Sequence, residues 1–170
     1  PALVALPDAE LDFKLELQPF ALKLGRLEII DQGRRLNASG TLGADRNGWS
    51  IAVDAAMDGL DLARLLEFWP EAVKVKSRTW IAANVAEADL RDINAAVRIG
   101  SGGPPEVYLG FDYENADVRF LKEMPLITGA RGHASLFSDR FVVVIDDGGV
   151  EAVEGGVVTL DGTSFIIPDV

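Results

Sequence analysis

The chain has 170 residues, 48% of them hydrophobic and 25% charged, a composition that suits one folded globular domain and argues against disorder. Its net charge of −11, with 16 scattered basic residues of which Arg34-Arg35 is the densest pair, argues against nucleic acid as a partner, because phosphate binding needs clustered Lys and Arg. With no cysteine, neither a disulfide framework nor a thiolate metal site is possible, and no apolar run approaches the ~18–20 residues that span a bilayer.

Leu11 to Gln18 alternates apolar and polar residues without a fault, the pattern of a strand with one dry and one wet face, and Pro19 ends it. Phe20, Leu22 and Leu24 continue the period of two, and Leu27 and Ile29 take it up again after Gly25. Leu36 to Leu42 is the next strand, with Asn37, Ser39 and Thr41 on its polar face. An Asn47-Gly48 turn signal then leads into Trp49, Ile51 and Val53. Asp61 is a candidate N-cap for a helix carrying Leu62, Leu65, Leu66 and Trp69 on one face and closed by Pro70. A second helix is expected from about Val73 to Val85.

Strands resume with Leu90 to Ile99. After the Gly100–Pro105 loop come Val107, Leu109, Phe111 and Tyr113 on one face, with Val118 and Phe120 following Glu114-Asn115. Gly129 to Leu136 and Arg140 to Ile145 form a pair around Ser138-Asp139, and Val157 to Leu160 and Thr163 to Ile167 form another around Asp161-Gly162. These roughly ten to twelve strands are too many for a flat open sheet without curling or splitting. The expected class is α+β, mostly antiparallel β: a strongly twisted or curved sheet, groove-like or sandwich-like, with a central pair of short helices. The pair belongs against an apolar sheet face or across the end of the sheet. The organisation reads as a meander over 1–57, a helix pair over 60–86 and a second meander over 87–170. Gly40, Trp49, Ile51, Val53 and Asp54 recur 92 positions later as Gly132, Phe141, Val143, Ile145 and Asp146. That echo is either a structural repeat or what any two meanders share.

Chemistry is sparse. His133, the only histidine, has no sequence-local partner that would make it catalytic or a metal ligand. Asp146-Asp147-Gly148-Gly149 lacks the ligand spacing of a calcium loop and reads as a strand-ending turn. Gly100-Ser101-Gly102-Gly103 is followed by Pro104-Pro105 rather than by Lys-Ser/Thr and a helix, so a phosphate loop is not expected. The serines lack a nucleophile-elbow setting. The carboxylate pairs Asp8/Glu10 and Glu114/Asp117 read as solvated turn charges, so catalytic, cofactor and metal residues are all expected to be none. The apolar content stands out instead. Phe141-Val142-Val143-Val144-Ile145 is apolar on both faces, either because a helix, the Leu62–Trp69 one, covers it, or because one face lines a groove open to an apolar ligand.

Leu65–Ala72 followed by Lys76–Val85, with its Trp69-Pro70 and Arg78-Thr79-Trp80-Ile81-Ala82-Ala83-Asn84, resembles a helical pair in AsmA-like proteins of the YhdP/TamB type. Phe111 to Pro125 and the pattern around Asp161-Gly162 and Ile167-Pro168 fit the same family, whereas Ala86-Glu87-Ala88 departs from it. The resemblance implies a segment of a long periplasmic protein anchored to the inner membrane outside this chain. It implies an apolar β-groove, phospholipid or another apolar ligand as partner, neighbouring β-segments of the same chain, and a part in phospholipid transport and outer-membrane homeostasis. The groove candidates are Val107, Leu109, Phe111, Val118, Phe120, Phe141, Val143 and Ile145; Trp69, Arg78 and Trp80 are expected to pack the helices onto the sheet. Two other readings compete: an envelope scaffold that binds protein partners, and a carbohydrate-active β-sandwich using Trp49, Trp69 or Trp80.

Overall fold

The computed structural model of the chain describes residues 8–69, 75–100, 103–120, 124–152 and 155–168. Four strands come first: β1 (Asp8–Leu17), β2 (Phe20–Asp31), β3 (Arg34–Asp45) and β4 (Gly48–Asp61). Two helices follow, α1 (Leu62–Phe68) and α2 (Val75–Asn84). Then come β5 (Val85–Ile99), β6 (Glu106–Val118), β7 (Ile127–Leu136), β8 (Arg140–Glu151), β9 (Val157–Thr159) and β10 (Thr163–Pro168). All ten strands belong to one antiparallel sheet in which each strand from β1 to β8 neighbours the next, and β9 and β10 both pair with β8. β9 lies opposite Gly149–Glu151 and β10 opposite Arg140–Ile145, so the two share one lane along β8, broken at Leu160-Asp161-Gly162. The sheet has nine lanes among the described residues; it is curved and does not close, since β1 and β10 sit at opposite ends of the strand order.

Tight turns set this topology, because two-residue connections leave antiparallel pairing as the short route. Gln18 and Pro19, joined by a cis peptide, link β1 to β2, and Arg46-Asn47 links β3 to β4, where Asp45 accepts from the Asn47 backbone N–H at 2.7 Å. Gln32 and Gly33 both have positive φ (51° and 78°), the requirement of a type I′ turn. The phase slip after Leu24 is a β-bulge: Leu24 faces Gly40 but Leu27 faces Ala38, so Gly25 and Arg26 absorb the extra residue while Leu24 and Leu27 stay on one face.

The helices replace the hairpin between β4 and β5 and pack against those two strands. Asp61 caps α1 by accepting from the Arg64 backbone N–H at 2.8 Å. The second helix begins at Val75 in the described residues; Val73 and Pro70 lie outside them.

The echo between Gly40 and Gly132 is matched by the strand register. Gly40 faces Val53 and Ala44 faces Trp49; 92 positions on, Gly132 faces Ile145 and Leu136 faces Phe141. β2 and β6 correspond as well: Phe20, Leu22, Leu24 and Leu27 face Ala44, Leu42, Gly40 and Ala38, and Leu109, Phe111, Tyr113 and Ala116 face Leu136, Ala134, Gly132 and Ala130. Both ladders carry the bulge at the same step. A side chain at either glycine would collide with the neighbouring strand, since a Cβ at Gly40 would sit 2.4 Å from the Ala52 carbonyl oxygen and one at Gly132 2.0 Å from that of Val144. β2–β4 and β6–β8 are therefore two copies of one three-strand plan.

Four local expectations are corrected. Asp146-Asp147-Gly148-Gly149 is not a turn but the interior of β8, where the register against β7 shifts. Glu114-Asn115 does not separate strands: Asn115 takes a positive φ of 51° inside β6. The carboxylates placed in turns stand on strands, Asp8 and Glu10 in β1 and Glu114 and Asp117 in β6. Helix α1, tethered by its cap to the end of β4, packs on β4 and β5, and β8 is flanked in-plane by β7 and the β9/β10 lane.

Candidate functional site

Residues facing each other in a β-ladder share a face of the sheet, so the registers define two faces. One continuous row crosses all nine lanes: Leu11, Leu27, Ala38, Ala55, Ala95, Leu109, Leu136, Phe141 and Ile167. The parallel row Leu15, Leu22, Leu42, Ile51 and Ile99 is apolar too. On the opposite face the row Lys14, Lys23, Thr41, Ala52, Arg98 and Glu106 is mostly polar. Every strand in these rows sends its apolar alternation to the same side.

Among the described residues, little covers that side. The accessible surface is 11343 Å², against about 8,100 Å² for a compact monomer of this mass. Among the described residues no large side chain is fully buried. Burial concentrates in the β5–β8 half, where Ala88, Tyr113, Ala116, Ile127, Ala130 and Ile145 form a core with Phe111, Val118, Val143, Leu160 and Phe165 packed around it. In the β1 half, Leu11, Phe13, Leu15 and Leu17 are 48–72% exposed.

The sequence-predicted groove residues divide accordingly. Val107, Leu109, Phe111, Phe141 and Val143 lie half-buried on the apolar face, and the rings of Phe111 and Phe141 stand 6.5 Å apart. Val118 faces Ile127 at the end of β6. Ile145 is only 4% exposed and belongs to the core. Phe120 stacks on Phe165 at 4.9 Å and receives Trp80 of α2 edge-on at 5.9 Å, so three rings join the helix pair to the last lane. The most exposed part of the face, β1, is absent from the predicted set. Its faultless alternation was the available signal, but alternation alone does not tell a covered strand from an uncovered one.

At the helix end, charge borders the face. Arg64 of α1 grips Asp31, the terminal residue of β2, through Nε and Nη2 at 2.7 and 2.9 Å. This bidentate pair satisfies a carboxylate that is 6% exposed. Hydrogen bonds to Asp31 and then Glu67 hold the Arg64 guanidinium protonated well above its ordinary range. Arg34 lies 3.4 Å from Asp61. Arg78 of α2 donates to the carbonyls of Trp69 and Leu66 at 3.2 and 3.0 Å, occupying acceptors at the end of α1. Asn84 donates to the Trp80 carbonyl at 2.8 Å. Within the core, the Tyr113 hydroxyl reaches past Gly132 and donates to the Val144 carbonyl at 2.8 Å. Burial first, and the negative charge of Asp146 second, push its pKa up to about 12.

The polar face carries a shallow depression of about 560 Å³ over β3–β6, bordered by Arg26, Asn37, Ser39, Asp54, Asn94 and Tyr108. Its polar groups are partly engaged: Asp54 pairs with Arg98 at 2.6 Å and Asn94 donates to the Asp92 carbonyl. His133 is exposed and sits 3.4 Å from Asp146 across the hairpin, a neighbour that sequence proximity could not reveal. Asp147 pairs with Arg131 at 3.2 Å, Glu114 with Arg91 at 2.9 Å, and Asp117 accepts from the Gly129 backbone N–H. Trp49, 57% exposed, packs edge-on against Phe20, and Trp80 is 38% exposed. Among the described residues no three His, Cys, Asp or Glu side chains are grouped to hold a metal ion, and no helix is long and apolar enough to cross a membrane.

Comparison with protein-family models, curated proteins and solved structures finds no match to this chain.

Proposed function

We propose that the chain is a non-enzymatic segment of a periplasmic, inner-membrane-anchored AsmA-like protein, and that its curved sheet is a groove carrying phospholipid acyl chains toward the outer membrane. The observation that carries this reading is the apolar row across nine lanes, uncovered at β1 and free of charge from Leu11 to Ile167. A methylene removed from water gains about 0.8 kcal/mol, so an acyl chain laid along such a face is stabilised without any polar contact. The sequence resemblance supplies the family. Its motif residues support the reading through the Arg78–Trp69 hydrogen bond, which joins α2 to the end of α1, and the Asn84–Trp80 bond, which closes the last turn of α2. Val107, Leu109, Phe111, Val118, Phe120, Phe141 and Val143 would line the groove, with Ile145 beneath them.

The test uses delipidated protein and a phospholipid with a photoactivatable group on its acyl chain. Crosslinks should map to β1, β2 and β6 on the apolar face, and lipid should co-purify from envelope extracts. Protein that takes up no lipid and forms no crosslink at any lipid concentration would sink the proposal. A second reading, an envelope scaffold for protein partners, is favoured by one feature: all ten residues of β1 are exposed at the sheet edge.

A further inference from the structure

The polar face owes its character to long charged side chains that pair with one another, as Lys14 does with Glu16 and Arg91 with Glu114. Over β3–β6 that pattern breaks. Asn37, Ala56, Asn94 and Gly110 stand opposite one another from strand to strand, and beside them Ser39, Asp54, Ala96 and Tyr108 do the same. The small members of both rows leave the depression of about 560 Å³, within the ~300–1,000 Å³ range of small-molecule sites. From the lane of Asn37 to that of Tyr108 is three lane spacings, about 14 Å.

The lining of this depression is chemically matched to one kind of ligand. A Cβ built on Gly110 would fall 2.4 Å from the Tyr108 hydroxyl oxygen, so the phenol ring lies down along β6 over that glycine. Phe137 braces the ring at 5.6 Å, yet Tyr108 stays 40% exposed. It is a fixed aromatic platform beside a floor of methyl groups from Ala56 and Ala96. Around them the Asn37 amide and the hydroxyls of Ser39 and Tyr108 make no side-chain hydrogen bond among the described residues. Asn94 keeps its amide oxygen free for an incoming donor after giving an N–H to the Asp92 carbonyl. The rim charges are already matched, Arg98 by Asp54 at 2.6 Å and Arg26 by Glu28. Apolar patches, donors and acceptors together, and no unpaired charge suit a molecule with C–H faces and hydroxyl edges.

We propose that this depression binds an uncharged saccharide, one sugar ring stacking on Tyr108 and its hydroxyls bonding to Asn37, Ser39 and Asn94. An anion is disfavoured, because Arg26 and Arg98 are paired. The depression lies on the face opposite the apolar row, so the inference stands whether or not that row carries lipid.

The probes are cellotetraose, maltotetraose and chitotetraose, each titrated to tens of millimolar into the isotope-labelled intact chain and followed by NMR. At least one should give saturable shifts of the Asn37 and Asn94 side-chain amides and of the Tyr108 ring, with none in β1. Tyr108→Ala should weaken binding about tenfold, and Tyr108→Phe, which keeps the ring, should leave it within about twofold. Because Tyr108→Ala also bares Gly110, a second variant fills the floor from an exposed position: Ala56→Arg should abolish binding at an unchanged unfolding midpoint. Four outcomes would overturn the proposal: no saturable shift with any of the three saccharides, shifts that survive both Tyr108→Ala and Ala56→Arg, shifts confined to Trp49 or Trp80, or inorganic phosphate moving the same amides as strongly, which would make the depression an anion site.

Discussion

In the hairpin β3–β4, Gly40 faces Val53 and Leu24 lies beside the glycine from β2; in β7–β8, Gly132 faces Ile145 and Tyr113 lies beside it from β6. The glycines, the register and the bulge are shared. The burial is not. Tyr113 crosses Gly132 to bond the Val144 carbonyl and is 7% exposed, whereas Leu24 ends over Gly40 only half-buried. The second copy has Leu160 and Phe165 packed against its core, with Phe120 stacked on Phe165; the first lies between β1 and β5 and meets α1 only at the ends of β2 and β4. Register follows from backbone fit within the ladder; burial follows from what later segments of the chain lay on top.

Truncation should separate the two copies most strongly. Tyr113→Ala is expected to cost about 3–5 kcal/mol in urea unfolding, because it empties a packed site and strands a carbonyl. Leu24→Ala, at the corresponding but half-open position, should cost about 1–2 kcal/mol. Equal losses would mean that the first copy is as well covered as the second. Adding bulk tests what the copies share: Gly40→Ala and Gly132→Ala should each destabilise by about 1–3 kcal/mol, since both side chains would meet a neighbouring carbonyl oxygen. If only Gly132→Ala mattered, the common backbone constraint would fail.

A pH series sharpens the contrast. The Tyr113 phenol is held neutral up to about pH 12 in the folded chain, but ionises near its ordinary value of 10 once unfolded. Its contribution is therefore complete below pH 10 and is lost as pH rises through about 12. Measured by chemical denaturation, the stability advantage over Tyr113→Phe should be constant to pH 10 and then shrink; a constant difference up to pH 12 would contradict the burial argument. The smallest effect belongs to β1. Phe13→Ser should change stability by no more than about 0.5 kcal/mol, because the ring is 55% exposed, yet it should lower acyl-chain crosslinking. A large stability loss would show that β1 is covered in solution.

Much of the fold was legible in the residues. Alternation in Leu11–Gln18, the slip after Gly25, the Asp61 cap and the Gly40/Gly132 echo each correspond to a feature of the sheet, because each depends on a few neighbouring residues. The misreadings share a cause. Asp146-Asp147-Gly148-Gly149 and Glu114-Asn115 carry turn-favouring residues, but long strands tolerate them where a register shift or a positive φ bends the lane. The His133–Asp146 contact and the grip of Arg64 on Asp31, 33 residues apart in sequence, join positions that only strand pairing and the helix cap bring together.

The sequence by itself determined a mostly antiparallel succession of alternating strands joined by short turns, since alternation and turn chemistry are local properties of the chain. That their apolar stripes share one side was settled by the strand register. The tertiary structure alone decided which part of that side closes into a core and which stays open at β1. The physical reason is that an apolar residue reads the same whether protein or water lies over it, and its cover comes from segments far away in the chain.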